Sequence, residues 1–209
     1  MKVLLINGSA RRKGNTFVAL NEIATQLQKH SIESEIAQIG AKPVRGCIAC
    51  GQCIAKQLGR CTFNDDVCNE IAAKMADCDA VVIGSPVYYG QPTGQVLALQ
   101  QRMLFSAGHL FRDKPAAAVC ICRRGGASAA FQTLTMHFQM MNMPVVTSQY
   151  WNIAYGREEG EAARDTEGMQ TMRTLAENIA WLLKSIKSAA KEGVEPPKYE
   201  PFTPTHFIR

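Results

Sequence analysis

Four of the eight cysteines in this 209-residue sequence stand together, as Cys47, Cys50, Cys53 and Cys61, spaced C-x2-C-x2-C-x7-C. Three thiolates separated by two residues can turn inward around a compact centre, and a fourth can close it from a short loop. That spacing suits a 4Fe–4S cube. Zinc also accepts four thiolates, but its usual pattern is two separated C-x-x-C pairs. Gly46, Gly51 and Gly59 supply the turns that a backbone wrapping a metal needs. The residues leave three states open: a cluster, free thiols in a loop packed at a subunit interface, and zinc or disulfides.

A second group of reactive residues lies at the start of the chain. Val3, Leu4, Leu5 and Ile6 read as a buried parallel strand, followed by a polar loop and a helix opening near Asn15 and Thr16. Free backbone N–H groups at a helix N-terminus attract anions, and the helix dipole adds to this. Ser9, Gly14, Asn15 and Thr16 supply hydroxyls, an amide and a close backbone, and Arg11, Arg12 and Lys13 supply charge. Together they suit a terminal phosphate monoester; the alternative is a Gly/Ser turn with solvated basic residues. A nucleoside-triphosphate loop needs Gly-Lys followed by Ser or Thr, whereas Gly14 is followed by Asn15. No G-x-G-x-x-G is present, and no acidic residue closes the second strand near Ile39 to hold a ribose.

The elements that must position these groups alternate strand and helix. Strands are expected at 3–6, 33–39, 80–84, 115–122 and 144–148. Helices are expected at about 16–30, after Asp65-Asp66, at 93–107, at 128–141 and from about 165. Residues 41–64 show no clear periodicity. At about 24 residues this segment is too long for an idle loop in a compact domain. In the last helix Met169, Met172, Ala176, Ile179, Leu183 and Ile186 form a continuous apolar seam. The fold class that follows is α/β, an open five-stranded parallel sheet with helices on both faces. Residues 1–190 are expected to form one domain with a cysteine-rich insertion at 41–64, and 191–209 a Pro-rich tail, either extended and packed on this or a neighbouring subunit or disordered.

Ligands of such sheets sit beyond the C-terminal strand ends. The loops there are rich in Gly, Ser, Arg and Tyr: one after each of the first, third and fourth strands. They fit one ligand with a phosphate at one end and a flat ring at the other. Pro86, Val87, Tyr88, Tyr89 and Gly90 could cover a planar heterocycle, although a Tyr-Tyr pair can also merely pack a rim. Cys68 and Cys78 read as buried small hydrophobes, Cys120 and Cys122 as strand core with Cys122 near the ligand edge. The four histidines share no spacing that suggests a metal or catalytic pair.

Composition sets the outer bounds. Hydrophobic residues make up 46% and charged residues 20%, ordinary values for a globular protein. No apolar run approaches the roughly 20 residues that cross a bilayer. The run Val3–Ile6 is too short for a signal-peptide core, so a cytoplasmic location is expected. A net charge of +5, scattered and not interleaved with aromatics, argues against a nucleic-acid partner. In a reducing compartment, clustered cysteines point to a metal or redox site more than to disulfides.

The combination G-S-x-R-x-x-G-N-T after the first strand and G-S-P-V-Y-Y-G after the third resembles the flavodoxin-like, NAD(P)H-dependent FMN reductases, over most of the chain to about Ser188. The resemblance implies a sheet order of 2-1-3-4-5. It implies FMN phosphate on Ser9, Arg11, Asn15 and Thr16, the isoalloxazine ring against 86–90, and Arg124, Gly125 and Gly126 closing over its polar edge. Trp151, Asn152, Tyr155 and Gly156 would approach the flavin or a partner subunit. The cysteine segment resembles the iron–sulfur flavoprotein branch of that family, with its motif between the second strand and second helix. The family implies NAD(P)H as a transient donor, and small-molecule or protein redox partners. It also implies a homodimer or homotetramer, with electrons crossing a subunit interface. Two other readings stand beside this one: an electron-transfer module without hydride chemistry, and a zinc-stabilised, flavin-free interaction protein.

Overall fold

A computed structural model describes residues 1–208. Five strands, β1 (Lys2–Asn7), β2 (Glu33–Gln38), β3 (Ala80–Pro86), β4 (Ala116–Cys122) and β5 (Ile153–Tyr155), form one sheet in the order β2-β1-β3-β4-β5. Every pairing is parallel. Six α-helices join them: α1 (Asn15–Lys29), α2 (Gln52–Ala55), α3 (Cys68–Ala76), α4 (Gly94–Ala107), α5 (Ala127–Met140) and α6 (Thr166–Lys191). Strand alternation divides the core into two layers. Val3, Leu5, Val82 and Val119 pack with Leu20, Ile23, Met172 and Ile179 of α1 and α6. Leu4, Ile6, Val81 and Ile83 pack with Ile71, Leu99, Met103 and Leu134 of α3, α4 and α5. A strand covered on both faces must be apolar at every position, which is why β1, β3 and β4 read as unbroken apolar runs.

The fifth strand is not where the sequence suggests. The segment 144–148 makes a single bridge, Val145 opposite Ala116, and the Val146 N–H donates to the Ala116 carbonyl. The chain then leaves the sheet and returns as Ile153–Tyr155 against Cys120–Cys122. An apolar run marks a segment able to pair, but its register on the neighbour is set by packing, here by α6 holding Ala154. Helix α3 also starts later than expected. Val67 occupies its N-cap, and Asp66 accepts from the Cys68 N–H while its main partner is an arginine on α4.

Residues 194–208 have no regular secondary structure, but Tyr199 ties them to the body of the same chain. Its hydroxyl donates to Asp113 Oδ1 at 2.6 Å, and the Arg112 guanidinium lies over its ring. This contact lies just before β4, at the N-terminal edge of the sheet.

Candidate functional site

At the opposite edge, the loops after β1, β3, β4 and β5 surround a hollow of about 190 Å³. The first loop is fixed from below. Buried Asn7 receives the Ser9 N–H at 3.1 Å and donates to Gln38 Oε1 at 2.7 Å, while Ser9 Oγ accepts from the Arg11 N–H. Gly8 lies against α4 and β3: a Cβ there would stand 2.1 Å from Val96 Cγ2 and 2.7 Å from the Gly84 carbonyl. Thr93 caps α4 and also donates its hydroxyl to the Gly8 carbonyl at 3.0 Å. The first and third loops are therefore clamped together.

Helix α1 begins at Gly14 with no side chain capping it and no acidic residue in its first turn. Its first N–H groups face the hollow as an uncompensated positive end. Ser9, Arg11, Gly14, Asn15 and Thr16 all line the hollow, as expected from the sequence. The Asn15 carboxamide, however, is engaged elsewhere. It donates to the Glu158 carbonyl at 2.8 Å and accepts the Ala162 N–H at 3.0 Å, leaving its backbone N–H for a ligand. It pins the loop after β5 against the helix. Gly156 is held there so closely that a Cβ would fall 2.8 Å from both Ala162 N and Asn15 Nδ2.

Pro86, Val87 and Tyr88 line the other end. Tyr89 and Gly90 form a two-residue turn, with Tyr88 and Gln91 exchanging both backbone hydrogen bonds and both central residues at positive φ. That geometry puts the Tyr89 ring entirely in solvent and leaves Tyr88 half-exposed over the hollow. Gly126, at φ +87°, touches the same turn: a Cβ on it would stand 2.8 Å from Gly90 Cα. The third and fourth loops thus meet through two glycines. Arg124 and Gly125 are exposed beside this contact, and of this loop's two arginines it is Arg123 that lines the hollow. Ile121, Cys122 and Arg157 line it too. Burial pushes the Cys122 thiol up from its ordinary value, against N–H groups of Arg124 and Ala127 that favour the thiolate. Arg157 carried no motif, and only the fold brings it into the same hollow as Arg11.

The four cysteines of the insertion line a second, narrower hollow of about 20 Å³, between residues 47–63 and the side of α4. Cys47 and Cys50 are exposed, Cys53 and Cys61 buried. Left-handed backbone at Ala49, Gly51, Gln57 and Gly59 makes the turns. Among the described residues, no three His, Cys, Asp or Glu side chains stand close enough to share one metal ion. A cube is bridged by its own sulfides, so its cysteine ligands stand apart around it. Four soft thiols around one hollow, with no carboxylate in its lining, are a donor set that fits such a cube.

The insertion is anchored at both ends. Asn69 of α3 accepts the Cys61 N–H at 2.9 Å and donates to the Cys61 and Phe63 carbonyls. Arg45 donates its backbone N–H to Asp66 and its guanidinium to Asp65, and lies over the Phe63 ring. Arg102, on α4 and fully buried, donates from Nη1 to the Arg45 carbonyl at 3.0 Å and to Asp66 Oδ2 at 2.8 Å, and from Nη2 to Asp66 Oδ1. Burial opposes the Arg102 charge, and the hydrogen bonds to Asp66, with the Cys68 thiol beside the guanidinium, more than offset it, raising its pKa. Neither Arg102 nor Asn69 belongs to the cysteine motif, and no sequence signal marks either as part of this centre.

A family model described as NADPH-dependent FMN reductase matches residues 1–158. An iron–sulfur flavoprotein of Methanocaldococcus jannaschii is 33% identical over 195 residues, covering 90% of this chain and all of the relative. One from Archaeoglobus fulgidus is 28% identical over 205 residues, covering 90% and 98%. One from Methanosarcina thermophila is 28% identical over 193 residues, covering 90% and 97%. Among solved structures, RosB with a bound 8-demethyl-8-formylriboflavin-5'-phosphate intermediate superposes with a TM-score of 0.68 at 15% identity, covering 100% of this chain and 93% of the other. A flavodoxin from the domain Archaea gives 0.60 at 14% identity, covering 88% and 99%. These two likenesses are of fold.

Proposed function

Because the chain belongs to the NADPH-dependent FMN reductase family, in its iron–sulfur flavoprotein branch, we propose that it is an FMN-dependent oxidoreductase with a 4Fe–4S cluster on Cys47, Cys50, Cys53 and Cys61. Electrons would come from NAD(P)H or a reduced carrier and leave to a quinone, a small organic acceptor or a protein. FMN supplies the hydride and single-electron chemistry, and the protein supplies anchoring, orientation and tuning. The observation that carries the reading is the uncapped, acid-free start of α1 facing a hollow lined by Arg11 and Arg157. Backbone N–H groups of Asn15 and Thr16 and the Ser9 and Thr16 side chains would receive the phosphate. Pro86, Val87 and Tyr88 would support one side of the ring, with Gly90, Gly126 and Arg123 at its edge. NAD(P)H would be a transient donor to the bound flavin. Exposed Cys47 and Cys50 open the cluster to a redox partner or a second subunit, in keeping with a homodimer or homotetramer.

An electron-transfer module without hydride chemistry is the alternative. One preparation separates these readings. Protein purified anaerobically is assayed for flavin, iron, zinc and acid-labile sulfide, then for NAD(P)H oxidation. FMN with about four iron and four sulfide per chain is expected. Flavin without iron, even after reconstitution, removes the cluster from the reading. Neither flavin nor iron overturns it, and a zinc-bearing, colourless protein would be the interaction module. NAD(P)H turnover distinguishes the enzyme from the carrier.

A further inference from the structure

Arg102 has more donors than its visible partners use. Its two Nη atoms are committed to Asp66 and the Arg45 carbonyl. Its Nε is buried and has no hydrogen-bond partner. An unmet buried donor is costly, more so when charged, and native structures rarely keep one without a use. Arg102 forms part of the wall of the four-cysteine hollow. The nearby hydroxyl of Ser106 donates to the Arg102 carbonyl at 2.8 Å, and Asp66 is already paired. What the wall offers in number is sulfur.

We propose that Arg102 is a positioning residue for the cysteine centre, its buried Nε–H donating to a sulfur of the cluster held by Cys47, Cys50, Cys53 and Cys61. The inference rests on the cluster reading above. The chemistry is direct. A cluster bound by four thiolates is anionic, and each added electron makes it more so. A fixed cation with an N–H aimed at sulfur stabilises the reduced state more than the oxidised one, and hydrogen bonds to the sulfurs set cluster potentials. The Asp66 fork holds the guanidinium in one orientation, so the donor stays in place during electron transfer.

The test is a reductive titration of the reconstituted full-length protein, followed by EPR, for wild type, Arg102→Gln and Cys68→Ala. Flavin content serves as the measure of an intact fold. In Arg102→Gln the ratio of reduced to oxidised cluster at a given poise is expected to fall about tenfold, a shift of about 59 mV to more negative potential for one electron. Cys68 needs its own variant because its thiol also stands beside Arg102. If Cys68→Ala reproduces the whole shift, the arginine acts through that thiol and the proposal falls. An unchanged potential in a loaded Arg102→Gln protein overturns it while leaving the cluster reading intact. A wild type that takes up no iron and sulfide overturns both. Should Arg102→Gln fail to fold, Arg102→Lys keeps the charge and removes the planar donor edge. A smaller shift in the same direction is then expected, and no shift refutes the proposal.

Discussion

Arg11 and Asp66 are charged side chains in opposite settings, and each makes its own prediction. Arg11 is exposed beside the uncapped start of α1. A charge-assisted hydrogen bond to phosphate contributes about 1.5–3 kcal/mol, so Arg11→Ala should weaken FMN binding roughly tenfold to a hundredfold in a fluorescence titration. Unchanged affinity would remove Arg11 from the phosphate site. Asp66 is buried with Arg102. Deleting one partner of such a pair costs about 3–5 kcal/mol, which urea unfolding of Asp66→Ala at neutral pH would measure. Burial opposes ionisation of Asp66, yet the Arg102 hydrogen bond and the N–H groups of Arg45 and Cys68 hold its carboxyl below the ordinary 3.8. The unfolded chain therefore takes up this proton first as pH falls. The stabilisation is complete above the ordinary value and is lost as pH drops through the lower folded one, so the gap between wild type and Asp66→Ala should close in acid.

At the scale of elements, the site is a set of strand ends brought together by close backbone approach. Gly8 is the tightest of these contacts, wedged between Val96 and the Gly84 carbonyl. Gly8→Ala must displace the first loop from α4, at a cost of about 1–3 kcal/mol. Both a lowered melting temperature and reduced FMN affinity are expected; wild-type affinity would mean that the clamp between the loops does not shape the site. The loops after β1, β3 and β4 were legible because Gly, Ser, Pro and Arg clusters follow apolar runs. The turn at Tyr89-Gly90 was only half legible. Its sequence marks a turn, but the sign of φ at Tyr89 decides which tyrosine faces the hollow. The position of β5 and the role of Arg157 were not legible, since both depend on how the chain after 148 returns to β4.

For the molecule as a whole, the sheet separates two ends. The cofactor loops lie beyond the C-terminal strand ends, and Tyr199 anchors the tail near Asp113, before β4 begins. Removing residues 195–209 should therefore leave FMN affinity unchanged in a flavin titration and lower stability by about 1 kcal/mol, the scale of one hydrogen bond, in thermal unfolding. A loss of flavin would show that the tail reaches the opposite edge, in this subunit or another. The cysteine insertion occupies a third place, on the side of α4, braced by Asn69 and Arg102.

The sequence by itself determined the layered α/β architecture, because strands buried on both faces must be apolar throughout and the helices between them must carry an apolar seam. It also determined which loops could hold an anion and which cysteines could share a centre, because those chemistries need fixed residue types at short range. Tertiary structure alone decided the partners that arrive from afar. Arg157 lines the same hollow as Arg11, the Asn15 side chain is spent on the loop after β5, and Arg102 stands beside four thiols 41 to 55 positions away in the sequence. Such meetings follow from the packing of whole elements, and no local pattern in the chain encodes which side chain will be left with an unused donor.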